Sequence, residues 1–397
     1  AKVKEKEFRA TFEMKGKALY PKMDVLFSMM REILMESRLE DEKRLKEILA
    51  MLRSRLQMSF LSSGHTTAAL RALSYTSPIA KFKDDTDGIG FYEVVKAIEE
   101  DFEGQKEGLI RNLKEISQKI FRADNMMVSY TSAEEGLAPM KEAFGAVRNK
   151  LNDSKSSDIS AAGIDAADLD AGDSNPAADS AADGGGDAET AAGESGETSC
   201  VIHCRKRNEG FKTSSKVQYV ARAGNFIDGG AEYTGALQIL KVILSYDYLW
   251  QNVRVKGGAY GCMSNFNRIG EGYLISYRDP NLQKTMEIYE GVVDYLENFN
   301  VDDRDMNKFI IGTISNIDRP MNPAAKGNRS MNLYMNHVTE EMIREEREQI
   351  LTADQSDIRA LAGVLKAMLD AGLVCVIGSE EKIEECREMF GEVRTLS

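Results

Sequence analysis

Apolar and polar residues alternate near the start of the chain. In FRATFEMK, residues 8–15, every second side chain is apolar and the residues between them are charged or polar. This two-residue period is typical of a β-strand whose sheet has one buried and one solvent-exposed face. The pattern predicts a strand over 8–15, in a sheet that helices cover on one side only.

Most of the remaining chain has apolar residues three and four positions apart, which is the spacing of an amphipathic helix. In the first half this period predicts helices over 41–60, 66–75, 90–101 and 105–120. In the second half it predicts helices over 234–256, 301–317, 339–351 and 354–369. Short strands between such helices indicate an α+β fold, in which antiparallel strands carry helices segregated to one face.

A segment that reads as strand, turn and helix occurs twice. MMVSYTSAEEGLAPMKEAFGAV (126–147) aligns without gaps with GLVCVIGSEEKIEECREMFGEV (372–393), and each copy is expected to close a domain. A weaker match pairs 8–34 with 272–299, where a strand and a helix are predicted in both halves. The repeat indicates two related domains in tandem.

The two domains are predicted at 1–150 and 200–397, each a mainly antiparallel sheet with helices packed on one face. About seventy residues precede the matching point of the second copy, whereas only seven precede that of the first. The first domain is therefore expected to lack its N-terminal strands. We expect the chain to be a fragment of a longer protein whose upstream segment completes that sheet.

The segment 151–199 separates the two predicted domains. It is rich in Ala, Asp, Gly and Ser, contains no aromatic residue, and carries −11 of the chain's net charge of −13. Such a composition cannot bury enough apolar surface to offset the entropy lost on ordering, so it predicts a flexible linker. The rest of the chain is nearly neutral, which leaves no basic surface for nucleic acid.

The composition limits the classes of protein to consider. The 397 residues are 42% hydrophobic, enough for two or three domains with cores of their own. No apolar run is long enough to cross a membrane, and the N-terminus lacks the order of a signal peptide. Five scattered cysteines are typical of reduced thiols rather than of a disulfide scaffold. These features predict a cytoplasmic protein that binds neither membranes nor nucleic acid.

A glycine pair ends the long apolar helix of the second half, in VRVKGGAYGC (253–262). Gly257 and Gly258 are expected to supply the left-handed conformation that stops a helix, before AYGCMSNF and YLISYR form a hairpin. Arg254 then lies in the last helical turn and Tyr260 at the start of a strand, so both reach one corner. The pair fits either a functional site or a purely local role, with the cation complementing the helix dipole.

The corner resembles the arginine and tyrosine motif in the C-terminal half of pitrilysin and insulinase-type zinc metallopeptidases, particularly their presequence-protease branch. Three more stretches support the resemblance: SYRDPNLQKTMEIYEGVVDYL (276–296), SSGHTTAALRALSYTSP (62–78) and GIGFYEVV (88–95). Such enzymes have four related domains arranged as two bowls joined by a hinge. The resemblance implies that this chain runs from the middle of the third domain to the end of the fourth.

The resemblance also implies a role for each residue of the corner. Zinc and the general base belong to an HxxEH helix in the first domain, so zinc is expected in the missing N-terminal half, with no cofactor or metal ligand in this chain. Tyr260, a phenol, would donate a hydrogen bond to the scissile carbonyl as it becomes an oxyanion. Arg254 would bind a carbonyl or carboxylate of the substrate. Gly257 and Gly258 would form a substrate-binding loop that lets a peptide backbone approach.

The three histidines do not form this zinc motif. The motif needs two histidines one helical turn apart and a glutamate beside the second, whereas His65, His203 and His337 begin HTTAA, HCRKR and HVTEE. Cys200, His203 and Cys204 form CVIHC, but a closed zinc site needs a fourth ligand. Because no second CxxC or HxxxH accompanies this segment, free thiols at a strand edge are favoured.

These observations predict the C-terminal, substrate-enclosing half of a zinc endopeptidase that degrades peptides and is inactive in isolation. Its expected partners are peptide substrates and the zinc-bearing N-terminal half of the same protease, fused or separate. Two alternatives stay open: a non-catalytic scaffold or peptide-binding subunit with the same fold, and a separately encoded partner of a zinc-bearing subunit. The presence of both Arg254 and Tyr260 favours the protease.

Overall fold

The structure is a computed structural model that describes residues 8–161 and 202–396, with the backbone alone for 153–161. Its helices are α1 (Met23–Glu36), α2 (Glu42–Leu73), α3 (Pro78–Asp87), α4 (Ile89–Glu100), α5 (Phe102–Ile120), α6 (Leu137–Ala161), α7 (Ala236–Tyr246), α8 (Gln283–Glu290), α9 (Val292–Glu297), α10 (Asp303–Ile317), α11 (Pro323–Met335), α12 (Glu340–Thr352), α13 (Gln355–Asp370) and α14 (Glu380–Glu385). Its strands are β1 (Glu209–Thr213), β2 (Tyr219–Asn225), β3 (Gly261–Phe266), β4 (Glu271–Tyr277), β5 (Leu373–Ser379) and β6 (Glu392–Thr395).

The strands of the described residues form one mixed sheet in the order β3-β4-β2-β5-β1-β6. β2 pairs antiparallel with β4 and β5, and β3 pairs antiparallel with β4, whereas β1 runs parallel to both β5 and β6. The β3–β4 pair is the hairpin predicted from AYGCMSNF and YLISYR, with Gly261 opposite Tyr277. β3 is an edge strand, so the predicted corner lies at one border of the sheet.

Helices of the second half cover one face of the sheet. Leu237 and Leu240 of α7 and Leu365 of α13 are fully buried in a core that also contains Val220 of β2 and Val376 of β5. Helices α8, α9, α10, α12 and α14 each add buried residues to the same core. This arrangement confirms the predicted α+β class, with these helices segregated to one face.

The first half covers the opposite face with helix α2. Phe60, Ala68 and Ala72 of α2 are buried in a second core together with Tyr219 of β2 and Ile377 of β5. The sheet is therefore covered on both sides, which differs from the prediction of helices on one side only. The cause is the contribution of a helix from outside the strand-bearing half.

Strand β5 carries the sequence signal for this double coverage. Its first six residues, LVCVIG, are all buried. Cys375 and Ile377 point to the core with α2, whereas Val374 and Val376 point to the core with α7 and α13. A continuous apolar run of this kind is typical of a strand that is buried on both faces.

The strand predicted over 8–15 does not form. Instead, Phe8 packs against Phe82 with ring centroids 5.5 Å apart, and Phe12 packs against Phe121 with centroids 5.2 Å apart. A strand needs a neighbouring strand to accept its backbone hydrogen bonds. No strand among the described residues pairs with this segment, so its alternating side chains pack on helices.

The repeat is matched in only one of its two copies. The second copy forms β5 followed by α14, whereas residues 126–130 of the first copy form no strand and lead into α6. The predicted boundary at residue 150 falls inside α6, and the part of the predicted linker after Ala161 lies outside the described residues. The division into domains 1–150 and 200–397 stays a prediction.

The helices predicted from periodicity are confirmed at 90–101, 105–120, 301–317, 339–351 and 354–369. The two helices predicted at 41–60 and 66–75 form the single helix α2, which breaks at Ser63 (φ −132°, ψ 27°). The carbonyl groups of Leu61 and Ser62 just before the break accept hydrogen bonds from the hydroxyl groups of Tyr219 and Tyr277. The break therefore joins α2 to strands β2 and β4.

Candidate functional site: the Arg254–Tyr260 corner

The apolar helix predicted over 234–256 consists of two helical pieces. α7 ends at Tyr246, and a π-helix occupies Trp250–Val255. Asp247, at φ −121° and ψ −86°, leaves helical conformation between the two pieces. The wider turn of a π-helix is rare and is frequent at functional sites. It determines where Arg254, in the last turn, leaves the backbone.

Gly257 and Gly258 end the π-helix for two different reasons. Gly258 has φ +81°, a conformation that glycine adopts without steric cost. Gly257 is not left-handed, but a Cβ atom there would lie 2.4 Å from the carbonyl oxygen of Val253. The prediction of a left-handed backbone is therefore confirmed for Gly258 and wrong for Gly257, whose missing side chain allows a close backbone approach.

Arg254 is held by the tryptophan one turn before it. The guanidinium carbon of Arg254 lies 3.9 Å from the centroid of the Trp250 ring, which is the distance of a cation–π contact. Its backbone carbonyl accepts a hydrogen bond from Gly258 at 2.9 Å. No carboxylate of the described residues forms an ion pair with Arg254, so its planar set of donors stays available to a ligand.

Tyr260 lies directly before edge strand β3. Its backbone N–H donates to the carbonyl of Tyr277 at 3.0 Å, and its ring meets the Tyr277 ring edge to face, with centroids 5.8 Å apart. The side chain is 68% exposed, and its hydroxyl group has no hydrogen-bond partner within the described part of the chain. The phenol therefore points a free donor away from the sheet.

A buried carboxylate supports the corner from behind. Asp279 is fully buried and accepts hydrogen bonds from the Asn281 backbone at 2.9 Å and the Thr285 hydroxyl at 2.7 Å. Burial raises the pKa of Asp279, and these hydrogen bonds oppose the increase. The Asn281 side chain then donates to the carbonyl of Gly257 at 2.6 Å. This chain of contacts fixes the glycine loop between Arg254 and Tyr260.

The thiol nearest to the corner is not a nucleophile at neutral pH. Burial raises the pKa of Cys262 to about 11, although the charge of Arg254 acts in the opposite direction. The thiolate is the reactive form of cysteine. The chemistry that the corner can perform is therefore donation of hydrogen bonds and positive charge to a carbonyl or carboxylate group.

The structure brings the four predicted site residues, Arg254, Gly257, Gly258 and Tyr260, to one corner. Three contributors were missed as parts of the site: Trp250, Asp279 and Asn281. The last two stand in SYRDPNLQ, one of the stretches that carried the family resemblance, which was the available signal. For Trp250 the signal was its spacing of four residues from Arg254, which places both on one side of a helix.

The described residues do not fit a zinc ion. No group of three or more His, Cys, Asp and Glu side chains among them could hold a metal. His65 lies among tyrosine rings, and His337 follows α11 with φ +53°. His203 and Cys204 are described, whereas Cys200 of the CVIHC segment lies outside the described residues. A further search finds no helix in the described ranges that is long and apolar enough to span a membrane.

Comparison with known proteins places this corner in a family. Residues 208–380 match the PreP C-terminal domain, and residues 1–98 match the associated region of peptidase family M16, subfamily C. The chain is 34% identical over 99% of its length to protein HypA of Clostridium perfringens, and 28% identical over 96% to presequence protease 1 of Arabidopsis thaliana. It covers 36% and 32% of these two relatives, about a third of their length. The solved structure of pitrilysin aligns with 43% of the chain at 14% identity, with a TM-score of 0.33.

The chain belongs to the pitrilysin-type family of metallopeptidases. Within that family it is a C-terminal portion of the presequence-protease branch, because both matched regions belong to that branch and the matches extend over nearly the whole chain. The PreP C-terminal match contains all four residues of the corner.

Proposed function

We propose that this chain is the substrate-enclosing C-terminal part of a zinc endopeptidase that degrades peptides, and that Arg254 and Tyr260 reach its active site. The observation that carries the proposal is the corner itself. A cation held against Trp250 and an exposed phenol flank one rigid glycine loop, and neither has a polar side-chain partner within the described residues. The metal belongs to another region of the enzyme, the zinc-bearing part, which is fused to this chain or separate from it.

Each of the two side chains has a distinct role in this proposal. The Tyr260 hydroxyl donates a hydrogen bond to the scissile carbonyl, and the bond strengthens as negative charge develops on that oxygen. Arg254 carries a permanent charge and contacts a carbonyl or carboxylate of the bound peptide. The first interaction stabilises the transition state selectively, whereas the second acts on the bound substrate as well.

Kinetics of the complete enzyme test these roles, with the zinc-bearing region supplied in the same polypeptide or as a second chain. Tyr260→Phe lowers kcat for a fluorogenic peptide about a hundredfold with little change in KM. Arg254→Ala raises KM and also lowers kcat, because it contacts ground state and transition state alike. Lys256→Ala is the matched control, since Lys256 is exposed and its ammonium contacts only Asn252 among the described residues.

The opposite outcome is equally clear. If Tyr260→Phe and Arg254→Ala fold, assemble with the zinc-bearing region and keep wild-type kcat/KM, then the corner has a local structural role. The result would favour the scaffold or peptide-binding subunit over the protease.

A further inference from the structure

The orientation of the Tyr260 ring depends on a second tyrosine. More than half of the Tyr260 side chain is exposed, and the ring contact found for it in the described residues is the edge-to-face contact with Tyr277, at an interplanar angle of 69°. Aromatic pairs prefer this geometry, with centroids about 4.5–7 Å apart. Any movement of the Tyr277 ring is therefore transmitted to Tyr260.

Tyr277 is in turn held by helix α2. Its ring meets the imidazole of His65 edge to face, with centroids 4.8 Å apart and an interplanar angle of 73°. Its hydroxyl donates to the carbonyl of Ser62 at 3.4 Å. It also contacts Tyr219, at a centroid distance of 5.7 Å. His65 is thus the closest ring to Tyr277 in this cluster.

The break in α2 is what brings His65 to this place. Ser63 leaves helical conformation, and the Tyr219 hydroxyl donates to the carbonyl of Leu61 at 2.5 Å, just before the break. A Cβ atom on Gly64 would lie 2.3 Å from the Tyr219 ring, so the glycine allows the helix to approach the sheet. These contacts fix the position of His65 over Tyr277.

His65 acts in this cluster through its ring and not through hydrogen bonds. Its Nδ1 atom is buried and has no hydrogen-bond partner among the described residues. Burial also lowers the pKa of His65, so the neutral imidazole is favoured. A neutral ring that packs on two tyrosines can be replaced by another ring of similar shape, which provides a conservative variant.

We propose that His65 is a positioning residue for Tyr260, acting through the ring of Tyr277. The proposal rests on the proposed function, since it gives the first matched region of the chain a part in aligning the oxyanion donor. His65 touches neither substrate nor metal in this mechanism. It connects helix α2 to the corner across 195 positions of sequence, from residue 65 to residue 260.

The first test needs only this chain and no activity. Tyrosines are labelled with carbon-13 at Cζ, and the Tyr260 resonance is assigned by its loss in Tyr260→Phe. His65→Ala shifts the Tyr260 resonance, and His65→Phe returns it towards the wild-type position. Thr66→Ala, one position along the same turn, leaves it in place, because the Thr66 hydroxyl is exposed and bonds to Ser63. An unmoved Tyr260 resonance in folded His65→Ala would overturn the proposal.

The second test measures kinetics when the zinc-bearing region is supplied. His65→Ala lowers kcat on the order of tenfold to a hundredfold, as expected when a catalytic group is slightly misplaced, while KM changes little. His65→Phe restores most of the rate. In the Tyr260→Phe background, His65→Ala lowers kcat no further, because the hydroxyl that it positions is already absent.

The outcomes separate this proposal from the proposed function. If Tyr260→Phe itself keeps wild-type kcat, the proposed function fails, whatever the resonance shows. If Tyr260→Phe is impaired but His65→Ala is not, or if the two losses in kcat multiply independently, the proposed function stands and the role of His65 is overturned.

Discussion

Arg71 of α2 and Glu209 of β1 form an ion pair in the interior, with the Nε atom 2.6 Å from Oε2. Arg71 is 5% exposed and Glu209 is fully buried. Asp84 binds the same guanidinium, and Arg394 of β6 binds the same carboxylate. This network fixes the helices of the first half against the sheet of the second, because separating the charges would leave each one buried without its counter-charge.

We expect Arg71→Met to destabilise the protein by about 3–5 kcal/mol, since it leaves Glu209 and Asp84 buried without their cation. The measurement is chemical denaturation followed by circular dichroism. Arg347→Met is the matched control: Arg347 forms two hydrogen bonds with Asp318 at 2.7 and 2.8 Å, but both side chains are over 40% exposed. Its loss costs at most about 1 kcal/mol. Equal effects of the two variants would contradict a structural role for the buried pair.

The same network makes stability depend on pH. Burial raises the pKa of Glu209, but hydrogen bonds and charge from Arg71, with the charge of Arg394, outweigh it and hold that pKa below the ordinary value of 4.5. A lowered pKa contributes stability that is present above 4.5 and is lost as pH falls through the folded-state value. We expect the free energy of unfolding of Glu209→Gln to approach that of the wild type as pH falls below 4.5.

Denaturation curves for both proteins, from neutral pH to about pH 3, measure this difference. Glu392→Gln serves as a control, because Glu392 also lies near Arg394, at 3.2 Å, but is 43% exposed. A constant gap between wild type and Glu209→Gln over the whole range would show that the carboxylate does not titrate with the expected shift.

Gly258→Ala is expected to cost about 1–2 kcal/mol of stability, the usual penalty for a left-handed non-glycine residue. The cause is conformational, because the added Cβ would meet only Pro280, at an ordinary contact distance of 3.5 Å. Gly363→Ala is the opposite case. Gly363 lies in α13 with open space around it, so alanine stabilises the protein by about 0.5–1 kcal/mol. Thermal denaturation distinguishes the two, and a neutral Gly258→Ala would argue against strain at the corner.

Arg254→Ala should uncover one face of Trp250, the only tryptophan of the chain. We expect the collisional quenching of Trp250 fluorescence by acrylamide to increase, with a loss of stability of about 0.5–1 kcal/mol from the cation–π contact. Lys256→Ala, two positions along, should leave quenching at the wild-type level. If Arg254→Ala also leaves it unchanged, the guanidinium does not rest on the indole in solution.

Periodicity alone located most helices and the β3–β4 hairpin, because their apolar residues recur at local spacings that packing on one core requires. The corner was equally local: Arg254, Gly257, Gly258 and Tyr260 lie within seven residues, so their proximity was fixed by a helix end and a turn. The strand predicted at 8–15 was wrong because alternation states which side chains are apolar, but not whether a neighbouring strand exists to pair with it.

The sequence by itself determined the class of fold, the family and the four residues of the corner, since each depends on neighbours close along the chain. Tertiary structure alone decided that α2 covers the second face of the sheet, that Arg71 meets Glu209, and that His65 packs on Tyr277. These contacts join residues more than a hundred positions apart. Local spacing contains no information about such pairs, because they form only when two separately folded surfaces bury their apolar side chains against each other.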